Sequence, residues 1–161
     1  MIRKVEDADR SAMKQIAYDF TQANPKWIPF NTDEFISKSI FGTLEFVLEN
    51  DSTKAIEGFI SGDIEKDVCD IFVIVVDINI PSDDRLKKTF QLLGYLGKHC
   101  LVNGVSTMQG YSSTEIQGFL DAYDMWGIND PNRKTLDFSN SQVAFLQQPI
   151  NKFIQDCMDR S

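Results

Sequence analysis

The sequence is poor in the residues that build metal and nucleophile sites. It has one histidine, His99, and three cysteines, Cys69, Cys100 and Cys157, which are widely spaced and form no Cys-x-x-Cys pair. A zinc site, a disulfide framework and a histidine-based triad each need partners that this spacing does not offer. We therefore expect no metal site, and the cysteine usage favours a reducing cytoplasm.

Positive charge and long apolar runs are also scarce. The chain has 16 lysines and arginines against 24 aspartates and glutamates, a formal net charge of -8. This balance opposes nonspecific binding to nucleic acid and to anionic membranes. The first residues are too polar for a signal peptide, and no apolar run approaches the roughly 20 residues of a membrane helix. We expect a soluble cytoplasmic protein with no nucleic-acid or membrane partner.

The remaining composition suits a single domain over residues 1–161. Hydrophobic residues make up 42% of the chain, enough for a sizeable core, and no linker or repeat divides it. Periodicity predicts the order βααβββαβαββ and a short terminal helix. The predicted strands are Ile2–Val5, Leu44–Glu49, Ala55–Asp63, Val68–Ile80, Val105–Tyr111, Arg133–Phe138 and Val143–Gln148; the predicted helices cover Ala12–Phe20, Asn31–Ile40, Thr89–Asn103, Ser113–Trp126 and Asn151–Asp159.

The connection Pro81–Phe90, between a strand-like run and a helical run, has no glycine. A turn from a buried strand into a helix exposes backbone N–H groups and the positive end of the helix dipole, which suit a phosphate or carboxylate. Arg85, Lys87 and Lys88 form a basic patch there. The patch could attract an anion; alternatively, its residues are solvated charges at a helix start.

The predicted helix after this connection has one apolar stripe. Its members recur at helical spacing and are expected to be buried: Phe90, Leu93, Gly97, Cys100 and Leu101. His99 lies off that stripe, so we expect it at the surface. Trp27 follows Pro25 and Lys26 in a predicted loop and is also expected at the surface.

The order of elements and several segments resemble the GNAT superfamily of acyl-CoA-dependent N-acyltransferases. Residues 1–9 and the long strand ending near Pro81 look like the family's first and fourth strands, and Val143–Pro149 looks like its closing strand. The segment Phe119-Leu-Asp-Ala-Tyr-Asp-Met-Trp-Gly-Ile128 is similar to the family's Tyr-Glu-Lys-x-Gly-Phe segment. The resemblance implies an α/β (α+β) fold with a mixed, mostly antiparallel central sheet and helices on both faces.

The resemblance also implies a chemistry. Acetyl-CoA would bind in a splay between the fourth and fifth strands, and an amine would attack the thioester directly. Tyr123 falls where many members have the general acid that protonates the departing CoA thiolate; its helical position equally fits a packed aromatic. The general base would be a carboxylate on or near the fourth strand, Asp70 or Asp77, although charges at strand ends are commonly just solvated.

The cofactor loop departs from the family pattern. Members carry Arg/Gln-x-x-Gly-x-Gly/Ala after the fourth strand, and the best overlay is Arg85-Leu-Lys-Lys-Thr-Phe90, with Lys88 and Phe90 in place of small residues. Bulky side chains obstruct the approach of pyrophosphate to backbone N–H groups. Lys87 and Lys88 could replace those contacts with charge, whereas Phe90 is expected to be a core residue.

Two hypotheses for the function follow. The first is a degenerate member without a cofactor, a noncatalytic binding or structural protein with a protein partner or self-assembly. GNAT-like proteins of this kind occur among the virion and assembly proteins of tailed bacteriophages, so the resemblance extends to a virion localisation. The second is an acetyl-CoA-dependent N-acetyltransferase, in which the basic patch binds the cofactor together with Ile78 and Ile80 at the strand end.

Overall fold

The computed structural model describes residues 1–24, 43–113, 135–138 and 141–161. Its strands are β1 (Ile2–Lys4), β2 (Leu44–Glu49), β3 (Ile56–Glu65), β4 (Val68–Val76), β5 (Thr107–Ser113), β6 (Thr135–Phe138) and β7 (Ser141–Pro149). Its helices are α1 (Arg10–Ala23), α2 (Ser82–Val102) and α3 (Ile150–Arg160). The predicted helix at Asn31–Ile40, the predicted helix beyond Ser113, and the residues Trp27 and Tyr123 lie outside the described residues.

The strands form one 7-stranded sheet in the order β1-β2-β3-β4-β5-β7-β6. All neighbouring strands run antiparallel except β4 and β5, which are parallel. Parallel neighbours need a crossover connection, and α2 provides it. The predicted mixed, mostly antiparallel sheet is therefore confirmed.

Helices cover both faces of the sheet, as predicted. On one face α1 packs through Met13, Ile16 and Ala17 against a cluster that includes Val73 and Val75 of β4. On the other face α2 and α3 pack against the larger cluster, which includes Ile74 and Val76. Side chains that alternate along β4 thus enter two different cores, which explains why its sequence is a continuous apolar run.

Helix α2 is buried along two sides, because it lies between the sheet and α3. Leu92 and Leu96 are fully buried, although the predicted stripe left them out. Gly97 meets α3 closely: a Cβ added there would lie 2.9 Å from Cγ1 of Ile154. The prediction that Leu101 is buried was wrong; it lies in the last turn of α2, which ends at Val102, and is 45% exposed.

Candidate functional site

Strands β4 and β5 separate part of the way along their length. They pair from Val68–Thr107 to Ile71–Gly110. Beyond that point β4 continues to Val76 on β3, while β5 continues to Ser113 on β7. A cleft between the two strands therefore opens after Ile71 and Gly110, between the strands where the resemblance implies a splay.

A β-bulge in β4 marks the start of the cleft. Ile71 pairs with Gly62 and Val73 pairs with Ser61, so Phe72 is the extra residue. The neighbouring strands approach very closely here: a Cβ added to Gly110 would lie 2.9 Å from the carbonyl oxygen of Ile71. Glycine therefore permits a contact at the base of the cleft that other residues would disturb.

The edge of β4 that faces the cleft carries backbone hydrogen-bonding groups. The N–H of Asp77 donates to the C=O of Glu57 on β3 at 2.8 Å. Because such positions alternate along an antiparallel strand, Val75 also directs its N–H and C=O to β3. Ile74 and Val76 then direct theirs to the cleft.

Strand β4 ends at Val76, so the predicted strand to Ile80 was too long. One carboxylate oxygen of Asp77 accepts both the backbone N–H and the side-chain amide of Asn79, each at 2.9 Å. The N–H of Ile80 donates to the C=O of Asp77 at 3.1 Å, which closes the turn. Ile78 and Ile80 thus belong to a turn that the Asp77 side chain stabilises, a common function of aspartate.

The predicted connection Pro81–Phe90 was wrong, because α2 begins at Ser82. The N–H of Arg85 donates to the C=O of Pro81 at 2.9 Å, as the first bond of the helix. From Arg85 onward the backbone N–H groups are therefore taken by the preceding turn. Asp83 and Asp84 in the first turn favour this early start, because their carboxylates stabilise the positive end of the helix dipole.

The basic residues of the predicted patch do not converge on one point. The guanidinium of Arg85 donates to the C=O of Ile78 at 2.6 Å. The ammonium of Lys88 donates to the carboxylate of Glu57 at 2.7 Å, and Lys87 is exposed. Partial burial opposes ionisation of Glu57, but hydrogen bonds from Asn50 and Lys88 outweigh it, and its pKa lies below the ordinary value.

Phe90 and His99 are both packing residues of α2. Phe90 is 1% exposed and belongs to the larger core, as predicted. His99 is partly buried and its ring contacts Phe46 edge-on, with 5.2 Å between ring centroids. The core thus occupies space that the family resemblance gives to a small residue of the pyrophosphate loop.

A row of polar side chains lies at the base of the cleft. The amide nitrogen of Gln109 donates to the carboxylate of Asp70 at 2.5 Å, and Gln147 donates to the Gln109 side-chain oxygen at 3.1 Å. The three residues are in register across β4, β5 and β7. The sequence alone named Asp70 but missed both glutamines, because the register of strands distant in sequence has no local signal. Asp77, at the far end of β4, is on the order of 20 Å away.

The three cysteines lie in the core. All three are free and buried. The hydrogen bond with Cys100 and burial raise the pKa of the Cys69 thiol, and burial raises the pKa of Cys157 to about 12. Within the described residues, no group of His, Cys, Asp and Glu side chains is suited to hold a metal ion. In the same part of the chain, no helix has the length and apolarity to span a membrane.

Comparison with known proteins links the chain to acetyltransferases through its fold. No family model matches the sequence, and no curated protein matches it. Among solved structures, the ribosomal-protein-S18-alanine N-acetyltransferase of Escherichia coli is 18% identical, covers 93% of each chain and has a TM-score of 0.65.

Two further structures give the same result. A GNAT-family acetyltransferase of Staphylococcus aureus Mu50 is 11% identical, covers 93% of this chain and 98% of its own, and has a TM-score of 0.66. The PaiA N-acetyltransferase of Thermoplasma acidophilum, in complex with coenzyme A, is 16% identical, covers 92% and 98%, and has a TM-score of 0.62. At these identities the similarity is one of fold.

Proposed function

We propose that this chain, which has the fold of the GNAT N-acetyltransferases, is a noncatalytic binding protein that does not use acyl-CoA. The observation that carries the proposal is the start of α2 at Ser82. The segment Arg85–Phe90, which resembles the pyrophosphate loop, lies inside the helix, where its N–H groups have intrahelical acceptors. A pyrophosphate would have to compete with those bonds.

The charges at this end of α2 support the same proposal. The exposed side chains of Asp83 and Asp84 stand in the first turn, ahead of the first intrahelical bond. Each carboxylate stabilises the helix by roughly 0.3–1 kcal/mol through the helix dipole. Each also repels a phosphate that approaches the backbone N–H groups of the first turn. Arg85 and Lys88, which could offset this repulsion, are engaged by Ile78 and Glu57.

The proposal includes a protein partner or self-assembly of this chain as the function of the binding protein. The predicted virion localisation stays a prediction, for which neither the fold nor the cleft provides support.

The second candidate function is an acetyl-CoA-dependent N-acetyltransferase, and the cleft between β4 and β5 favours it. Under this alternative, acetyl-CoA would enter where the strands separate, beyond Ile71 and Gly110. Asp70 would be better placed than Asp77 as the base, since it lies at the base of the cleft. Tyr123 would protonate the leaving thiolate. A Tyr123→Phe variant should then lose turnover far more than acetyl-CoA affinity.

Titration with acetyl-CoA separates the two functions. A ligand at 100 times its dissociation constant stabilises a protein by about 2.7 kcal/mol, or roughly 5–10 °C in Tm for a domain of this size. We expect neither heat by calorimetry nor a Tm shift at millimolar acetyl-CoA. The Thermoplasma PaiA enzyme, whose structure holds coenzyme A, is the positive control. A saturable heat signal would overturn the proposal and favour the acetyltransferase.

A double variant identifies what prevents acetyl-CoA from binding. Asp83→Asn with Asp84→Asn removes the two charges but leaves the helix in place. Acetyl-CoA binding by this variant would assign the exclusion to charge repulsion. Continued absence of binding would assign it to the helical backbone itself, as the proposal holds.

A further inference from the structure

We propose that the cleft between β4 and β5 binds an extended, basic polypeptide segment of a partner protein, which adds to β4 as a strand. The inference rests on the proposed function, because it names the class of partner that a noncatalytic GNAT fold would bind. The two ends of the cleft differ: β4 offers a strand edge beyond Ile71, whereas α2, with an acidic first turn, begins after the far end of β4.

The strand edge supplies the main-chain bonds. Ile74 and Val76 each direct an N–H and a C=O into the cleft, as the bond from Asp77 to Glu57 implies. Alternate residues of a strand are about 6.6–6.8 Å apart, which is the repeat of an extended peptide. Within the described ranges, no strand pairs with this edge beyond Ile71. Strand addition to such an edge is a recurring mode of peptide recognition.

Charge distinguishes a polypeptide from a nucleotide cofactor. Coenzyme A would bring its phosphates to the end of the cleft where Asp83 and Asp84 are exposed. A polypeptide brings amides at every residue and no phosphate, and a lysine or arginine at that end would be attracted by the two carboxylates. The net charge of -8 adds a long-range preference for a basic partner.

The test uses model peptides, because the partner sequence is unknown. The probe is acetyl-Lys-Thr-Val-Thr-Val-Thr-Lys-amide, whose two lysines serve either strand direction. One control probe has glutamate in place of both lysines, and the other carries N-methyl groups on both valines. The titrations follow backbone amide resonances of the full chain by ¹⁵N NMR.

We expect the lysine probe to shift the amide resonances of Ile74 and Val76 and to slow their hydrogen exchange at least threefold. The glutamate probe should bind at least fivefold more weakly, and the N-methylated probe should not protect these amides. The inference is overturned if the lysine probe leaves both resonances unchanged at millimolar concentration, or if the N-methylated probe protects them equally.

A titration of the same sample with acetyl-CoA distinguishes failure of the peptide inference from failure of the proposed function. If neither the peptide nor acetyl-CoA shifts the Ile74 and Val76 resonances, the peptide inference fails and the noncatalytic assignment is retained. If acetyl-CoA shifts them and the peptide does not, both proposals fail.

Discussion

The ammonium of Lys88 donates to the carboxylate of Glu57 at 2.7 Å and thereby ties the first turns of α2 to β3. Asn50, in the turn after β2, donates to the same carboxylate at 2.7 Å, so Glu57 has one partner on α2 and one in that turn. The sequence placed Lys88 among the phosphate ligands of a cofactor loop. In the fold its charge is neutralised within the chain, and it holds the helix where that loop would be.

Removal of this ion pair should destabilise the protein modestly. Lys88→Met keeps the aliphatic stem but leaves Glu57 without its charged partner. The side chains of the pair are 25% and 17% exposed, so we expect a loss of about 1 kcal/mol in the free energy of unfolding, measured with urea at pH 7. Lys87→Met, at the exposed neighbouring position, is the control and should change stability little. Equal effects of the two substitutions would contradict the assigned role.

The contribution of the Lys88–Glu57 pair to stability should depend on pH. The folded-state pKa of Glu57 is depressed, so its contribution to stability is present above the unfolded pKa of about 4.3 and is lost as the pH falls through the folded pKa. The stability difference between the native chain and Lys88→Met should therefore shrink below about pH 4. Urea unfolding of both proteins between pH 3 and pH 7 measures this. A difference that stays constant or grows on acidification would exclude the pair as its source.

Alanine substitutions at two glycines of α2 should change the stability of the protein in opposite directions. A Cβ at Gly97 would lie 2.9 Å from Cγ1 of Ile154, whereas one at Gly94 would lie 3.4 Å from the Cβ of Cys157. Gly94→Ala should raise the free energy of unfolding by up to about 1 kcal/mol, because alanine has the higher helix propensity. Gly97→Ala should lower the free energy of unfolding by about 1–2 kcal/mol, because α2 and α3 must move apart. Thermal unfolding of the two variants decides the matter, and a more stable Gly97→Ala variant would refute the close packing.

The turn after β4 should depend on an oxygen at position 77 rather than on a charge. Asp77→Ala removes the acceptor of the two Asn79 bonds and should cost about 1 kcal/mol in unfolding free energy. Asp77→Asn keeps an acceptor and should retain most of that stability. Unfolding curves of both variants provide the comparison. If asparagine were as damaging as alanine, the carboxylate charge itself would be what matters at Asp77.

Elements defined by local patterns were predicted well. The bounds of β2, Leu44–Glu49, agree with the prediction. The strands β2, β3 and β4, which short turns join, pair antiparallel with their neighbours. The burial of Phe90 followed from helical spacing alone. In each case the decisive signal, an apolar period or a turn between apolar runs, lies within a few residues of sequence.

Features that depend on side-chain contacts or strand register were not predictable. The apolar residues Ile78 and Ile80 continue the alternation of β4, and only the bonds from Asn79 to Asp77 reveal the turn. The start of α2 was missed because aspartate favours turns as well as the first turn of a helix. The contact of Gln109 with Asp70 depends on a parallel pairing across α2, which no local pattern specifies.

The N–H groups from Arg85 to Phe90 are bonded within α2, so we expect this segment to offer no site for a pyrophosphate. The most direct test is a ¹⁵N NMR titration of the full chain with acetyl-CoA that follows the amides of Ser82–Phe90. We expect these resonances to stay unchanged at millimolar ligand and the amides from Arg85 onward to exchange slowly, as intrahelical donors. Saturable shifts concentrated in this segment, together with fast exchange in the free protein, would contradict it.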